Sequence, residues 1–164
     1  MRRFAFIAPL ALVVGLAASP VLAQSPRINV TVGGDLTQEV RTLGQREVDA
    51  QIARLTEVVA HELAITGALQ GAEINLVLTD LKPNRPTIEQ ANARPGLSVI
   101  DSISIGGATI EGEVVTADGQ RLPVRYSRYS TSLDEVIEYG PWNHADRAYV
   151  RLARNLASGR LVSH

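Results

Sequence analysis

A histidine and a glutamate stand side by side in an amphipathic stretch, at His61 and Glu62. Helical zinc proteases begin their ligand motif with such a pair and place a second histidine four positions after the first. Here that position is Ile65, and the chain has no cysteine to replace the missing imidazole. A metal site joining His61 to His144 is the least supported hypothesis. The pair is predicted to lie on a solvated helix surface, and no metal or cofactor is expected.

Two glutamates, Glu111 and Glu113, alternate along a predicted strand and therefore share one face of it. Glycoside hydrolases use paired carboxyl groups, which need a cleft and one raised pKa. The chain contains no nucleophile elbow, phosphate-binding glycine loop or dinucleotide fingerprint. Hydrolysis of envelope glycans by these two residues is kept as the alternative function, and a non-enzymatic binding role is the leading hypothesis.

A proline-rich loop, 82–98, offers the best candidate for a binding site. It is long for a connection within a compact domain, and recognition residues concentrate in loops held by rigid scaffolds. All aromatic residues after position 23 lie between Tyr126 and Tyr149. Core packing is expected to explain most of them, although tyrosine in connecting segments is common at binding surfaces. The predicted contact residues are Asn84, Arg85, Thr87, Tyr129 and Trp142.

Three arginines recur at helical spacing near the end of the chain, at Arg147, Arg151 and Arg154. Such a ridge can bind an acidic partner or phosphate. It is more often the solvated side of an amphipathic helix, which is the interpretation favoured for this chain.

These residues must be positioned by regular elements, of which a strand and a long helix come first. Residues 28–32 alternate between apolar and polar, which predicts a half-buried strand. Apolar residues at helical spacing from Val48 to Leu63 predict an amphipathic helix. Thr42 and Gln45 are predicted to form a capping box at its start, and Gly67 is predicted to end it.

A central strand and a hairpin are predicted next. Residues 74–81 are apolar on both faces, with Val77 and Leu81 on the face opposite Ile74, which is typical of a strand inside a sheet. The run 99–130 is predicted to carry two strands joined by a three-residue loop, 117–119. This register matches apolar residues and sets Glu111 opposite Arg125, with Gly119 in the left-handed conformation and a bulge or bend at Gly106 and Gly107.

A short helical turn and a last helix complete the chain. Ser132 and Glu135 are predicted to cap the turn, and the helix is expected to run from near Asn143 to Gly159 with Tyr149 on its buried side. The order β-α-β-β-β-α predicts an α+β two-layer sandwich, with two main helices on one face of a mixed or antiparallel sheet.

The amino terminus predicts export. A positively charged start, the apolar stretch Phe4–Ala18 and small residues up to Ala23 form the layout of a signal peptide, 1–23, that is cleaved after Ala23. The stretch is short for a membrane span and contains Pro9. Residues 24–164 are then expected to form a single α+β domain in the periplasm, with no stable membrane span after cleavage.

Charge and cysteine content narrow the range of partners. Without the signal peptide, 14 of the 16 basic residues remain against 17 acidic residues, a formal charge of −3. No basic field for nucleic acid or anionic lipid is therefore expected. Since the chain has no cysteine, it has neither a disulfide framework nor a residue for a lipid anchor. The expected partner is an envelope protein or another periplasmic component.

Several short motifs carry a resemblance to a group of bacterial proteins. They are PNRPT (83–87), PGLS (95–98), GGA (106–108), EGEV (111–114) and the later Trp142-x-x-Ala145. On these residues the chain resembles uncharacterised exported proteins of Gram-negative bacteria, and its order of elements is similar to small α/β domains of envelope lipoproteins. The resemblance implies an envelope location and a non-catalytic role, and it assigns no site.

Overall fold

A computed structural model describes residues 24–136 and 140–163. The predicted signal peptide, 1–23, and Tyr139 lie outside these described residues. The strands are β1 (Arg27–Val32), β2 (Glu73–Lys82), β3 (Gly107–Val115), β4 (Arg121–Tyr129) and β5 (Val162–Ser163). The helices are α1 (Leu36–Leu43), α2 (Gln45–Thr66), α3 (Ile88–Ala93) and α4 (Asn143–Ala157), with a 3-10 helix at Asp134–Val136.

The strands form one mixed sheet in the order β1-β2-β3-β4-β5. The outer pairs, β1 with β2 and β4 with β5, are parallel, whereas β2, β3 and β4 are antiparallel. Alternate strand residues such as Ile74 and Ile110 share one core with Leu55 of α2 and Tyr149 of α4. The protein is therefore α+β, as predicted, with two main helices on one face of the sheet. The elements α1, α3 and β5 are additions to the predicted order.

The capping box predicted for the long helix is absent. Thr42 lies inside α1, and Gly44 separates α1 from α2 with a φ of 100°. Glycine adopts this left-handed conformation without the steric cost of a Cβ atom. The Gly44 N–H donates to the carbonyl of Val40, which closes α1 before α2 begins. The other end agrees with the prediction, since Gly67 ends α2 with a φ of 65°.

A bulge in β2 moves Leu81 into the core. The pairing of β2 with β3 shifts between Leu78 and Asp80, and the side chains beyond a bulge change face. Leu81 is completely buried. The prediction that Leu81 shares the outer face with Val77 is therefore wrong. The bulge also leaves Asp80 only partly buried, beside the outer face of the sheet.

The β3–β4 hairpin has the predicted register. Ile110 pairs with Tyr126, and Glu111 pairs with Arg125. Gly119 has a φ of 84°, as the three-residue loop requires. Ile110 and Tyr126 are buried under the helices, whereas Glu111 and Arg125 form an ion pair of 3.1 Å on the opposite, open face.

The carboxy-terminal part follows the prediction with one correction. α4 begins at Asn143, and Tyr149 is completely buried on its inner side. In the turn before it, Glu135 bonds to Thr131 rather than to the predicted Ser132. The backbone N–H and the hydroxyl of Thr131 both donate to the Glu135 carboxylate at 2.9 Å.

Candidate functional site

The chain between β2 and β3, residues 83–106, forms an ordered lobe that we call the excursion. The sequence predicted a proline-rich loop over most of this segment, but the structure contains α3 within it. The Thr87 hydroxyl accepts from the backbone N–H of Gln90 at 3.1 Å, and the Gln90 side chain accepts from the Thr87 N–H at 3.0 Å. This capping box starts a helix directly after Pro86.

Asn84 anchors the excursion to the body of the protein. Its backbone N–H donates to the carbonyl of Pro141 at 2.6 Å, and its side-chain oxygen accepts from the backbone N–H of His144 at 3.0 Å. Trp142, the N-cap residue of α4, makes no side-chain capping bond. Asn84 therefore caps α4 from another part of the chain and holds the excursion against the first turn of that helix.

Gly106 leaves room for the buried side chain of Asn84. A Cβ atom on Gly106 would stand 2.3 Å from the Nδ2 atom of Asn84. On the same side, the backbone N–H of Ser104 donates to the Asn84 carbonyl at 2.8 Å. The sequence predicted a bulge or bend at Gly106 and Gly107. In the structure β3 begins at Gly107, and Gly106 provides the space that the buried amide needs.

The predicted contact residues of the excursion differ in their exposure. Asn84 is 0% exposed and Thr87 is 3% exposed, and both side chains make the internal hydrogen bonds described above. Arg85 is half-buried, and its guanidinium donates to the carbonyl of Ile100. These three side chains therefore shape the excursion from within, and their polar groups are directed to other parts of the chain.

Part of the outer surface of the excursion is apolar. Ile88 is 64% exposed, Val99 41% and Ile100 74%, and all three line one concavity of about 470 Å³ together with Leu97. Exposed apolar patches of this kind mark interaction sites. The sequence did not point to Val99 and Ile100, because the run VIDSISI alternates in the way that predicts a strand.

Tyr129 belongs to a polar cluster at the end of β4, where β4 pairs with the first residue of β3. Its hydroxyl donates to Asp80 at 2.5 Å and lies 2.7 Å from the Thr109 hydroxyl. Lys82 Nζ lies 3.4 Å from the Asp80 carboxylate and 5.5 Å from the centre of the Tyr129 ring. Burial, and then the hydrogen bond to Asp80, raises the pKa of Tyr129. The phenol therefore stays protonated at neutral pH and acts as a hydrogen-bond donor.

Trp142 ties the start of α4 to α2. Its indole N–H donates to the Glu47 carboxylate at 2.7 Å, and its ring packs against the core. Because the neighbouring Pro141 accepts the Asn84 N–H, Trp142 lies close to the base of the excursion. The structure thus brings Asn84 and Trp142 together at the start of α4 and gives both side chains an internal partner.

The glutamates considered for glycan hydrolysis lie on the open face of the sheet, each beside an arginine. Glu111 is 3.1 Å from Arg125, and Glu113 is 2.5 Å from Arg121. Each glutamate is thus engaged by an arginine on the open face of the sheet, whereas glycoside hydrolysis needs two carboxyl groups that flank one scissile bond. This arrangement gives the hydrolase hypothesis little support.

His61 is exposed on α2, as predicted, and the neighbouring Glu62 is half-buried. Within residues 24–136 and 140–163, no group of three or more histidine, aspartate or glutamate side chains is placed to hold a metal ion.

Comparison with known proteins gives no family assignment. No family model matches the chain, and a search of the curated proteins finds no match either. The resemblance to exported envelope proteins therefore stays a prediction. Among the described residues, none of the helices has both the length and the apolar content needed to cross a membrane.

Proposed function

We propose that this protein is a non-enzymatic binding domain of the bacterial periplasm that recognises another envelope component through the apolar surface of the excursion. The observation that carries the proposal is the exposure of Ile88, Val99 and Ile100 around one concavity. Most large apolar side chains of the described residues are buried in one core or packed against it. Exposing three of them together opposes the hydrophobic effect, unless a partner covers them.

The base of the excursion supports the same proposal. Pro83 and Pro86 are buried, and Asn84 bonds to both Pro141 and His144. A surface that is already ordered loses less conformational entropy on binding than a flexible loop does. The excursion is therefore suited to present a preformed apolar contact.

Site-specific photo-crosslinking in intact cells tests the binding surface. A crosslinking residue at position 100 is expected to give a discrete product, and the double substitution Ile88→Ser and Val99→Ser should remove that product. Position 65 is the matched control, because Ile65 is 70% exposed near the end of α2 and outside the excursion. Identical products from positions 100 and 65, or no product from position 100, would contradict the proposed surface.

Cell fractionation tests the proposed location. Its support is the charged start followed by the apolar stretch Phe4–Ala18. A carboxy-terminally tagged chain is expected in the periplasmic fraction with Gln24 as its first residue. Leu12→Arg should keep the chain in the cytoplasm, because a charge disrupts the apolar segment that the export machinery recognises. An unprocessed wild-type chain in the cytoplasm would contradict export.

A further inference from the structure

Four arginines line a second concavity, of about 310 Å³, on a different surface of the protein. Arg147, Arg151 and Arg154 come from α4 and are exposed, as their helical spacing predicted. Arg128 comes from β4 and lines the same space. We call this feature the arginine concavity. Its fourth arginine, supplied by another element, could not be found from the spacing along α4.

Among the residues that line the arginine concavity, positive charges outnumber negative ones. On the open face of the sheet, Arg121 and Arg125 are each paired with a glutamate. The one carboxylate among the residues lining the arginine concavity is Asp146, which is bound to Arg54 at 2.7 Å.

Two of the four arginines have no carboxylate partner in the part of the chain that the structure describes. Over the described ranges, neither Arg151 nor Arg154 has a carboxylate within ion-pair distance. The chain as a whole nevertheless carries a formal charge of −1. The excess positive charge is therefore a local feature of this surface.

The helix dipole favours one of the three arginines of α4, whereas the spacing of the arginines brings like charges together. Arg154 lies in the last turn, where the helix dipole favours a cation. Arg147 and Arg151 are four residues apart, so their charges repel each other across one turn. The cluster therefore opposes helix stability, and a bound anion would relieve this repulsion.

We propose that the arginine concavity binds a phosphate group, independently of the excursion. A phosphate has more negative charge and more acceptor oxygens than a carboxylate, so it can accept hydrogen bonds from several guanidinium groups at once. Val150, half-buried among the lining residues, offers an apolar contact to the organic part of a phosphate ester. The same chemistry is present in a soluble phosphate ester and in a phospholipid headgroup.

Two binding measurements on the purified protein distinguish these sources. Calorimetric titration with inorganic phosphate and glycerol phosphate, at constant ionic strength, tests a soluble ligand. Co-sedimentation with vesicles of phosphatidylglycerol and phosphatidylcholine tests a lipid headgroup. In whichever measurement binding occurs, the double variant R151Q/R154Q should weaken it by about tenfold or more, because it removes charged hydrogen-bond donors.

Further variants separate the guanidinium fork from simple charge. R151K/R154K should bind with intermediate affinity, since an ammonium group cannot bind a phosphate bidentately. Arg128→Gln should weaken binding although it changes no helix. Arg41→Gln on α1 is the matched control for an exposed arginine and should stay within about twofold of the wild type. All the substituted residues are exposed, so the melting temperature should change little, which thermal unfolding checks.

Three results would overturn the proposal. The first is absence of wild-type binding in both measurements. The second is unchanged binding by R151Q/R154Q. The third is tighter binding of a glutamate-rich peptide than of every phosphate probe, which would assign the arginine concavity to an acidic protein segment instead.

Discussion

The side-chain amide of Asn84 accepts a hydrogen bond at the amino terminus of α4, where the helix has no capping side chain of its own. The first N–H groups of a helix have no partner within the helix, and the indole of Trp142 has no acceptor to offer them. Asn84 Oδ1 accepts from the His144 backbone N–H at 3.0 Å and lies 3.2 Å from the His144 Nδ1 atom. The buried side chains of Asn84 and His144 are therefore in direct polar contact at the base of the excursion.

Asn84→Ala is expected to lower the free energy of unfolding by about 1–3 kcal/mol, because it removes the acceptor of a buried N–H group. Denaturation in urea measures the change. Asn92→Ala makes the same substitution at an exposed position of α3 and should cost less than about 0.5 kcal/mol. Equal urea midpoints for Asn84→Ala and the wild type would show that the anchor contributes nothing.

His144 makes the stability of the protein depend on pH. Burial, and then the charge of Arg147, lowers its pKa, with a smaller contribution from Arg128, while Glu135 acts in the opposite direction. The unfolded chain therefore binds a proton at a higher pH than the folded protein does. The contribution of His144 is complete above its unfolded pKa of about 6.5 and is lost as the pH falls below that value.

Urea denaturation between pH 8 and pH 5 tests this dependence. The wild type should lose stability through the lower half of that range. His144→Gln should lose less, because its side chain does not titrate. His61→Gln is the matched control at an exposed histidine and should behave as the wild type does. The same pH slope in the wild type and in His144→Gln would contradict the assignment.

At the scale of elements, repeated patterns in the sequence predicted the structure well. The hairpin register could be chosen because it matched several apolar pairs and set Glu111 opposite Arg125. The buried side of α4 followed from spacing alone. Many residues contribute to each of these patterns, so no single position can reverse the prediction.

Four local features that depend on one or two residues were not predicted, although Gly67 and Gly119 were. The helical pattern continues across Gly44, although its φ of 100° divides α1 from α2. β2 contains no glycine or proline that would have indicated the bulge before Leu81 in the sequence. The capping box of Thr87 and Gln90 is visible in the sequence, but the surrounding prolines favoured a loop. The anchor by Asn84 depends on the proximity of α4, which local sequence does not encode.

The close approach of the excursion to β3 gives a prediction for Gly106. Gly106→Ala should cost about 1–3 kcal/mol of stability, because the added methyl group would overlap the Asn84 amide. The Gly106 backbone is not in the left-handed region, so the cost is steric. In the background of Asn84→Ala the added methyl group meets no amide. The double variant should therefore lose less stability than the sum of the losses in the two single variants. Fully additive costs would place the strain elsewhere.

The whole molecule combines one core with a small lobe that contributes little to it. α2 buries five residues in or beside the core, whereas α3 buries none. Only the base of the excursion is deeply buried, at Pro83, Asn84, Pro86, Thr87 and Gly106. The apolar surface of the excursion thus lies on α3 and on the turn at Val99 and Ile100. It is held by the most buried part of the connection.

This difference predicts a separate opening of the excursion in native-state hydrogen exchange. The amides of α3 should exchange at a lower free energy than those of β2 and β3, because opening α3 exposes little apolar surface. The backbone N–H of Asn84, which donates to the carbonyl of Pro141, should instead exchange at the same free energy as β2 and β3. Thr87→Ala should lower the protection of α3 by a further 0.5–2 kcal/mol, roughly the value of an N-cap, and leave β2 unchanged. Exchange of α3 at the same free energy as β2 would show that the excursion and the core open as one unit.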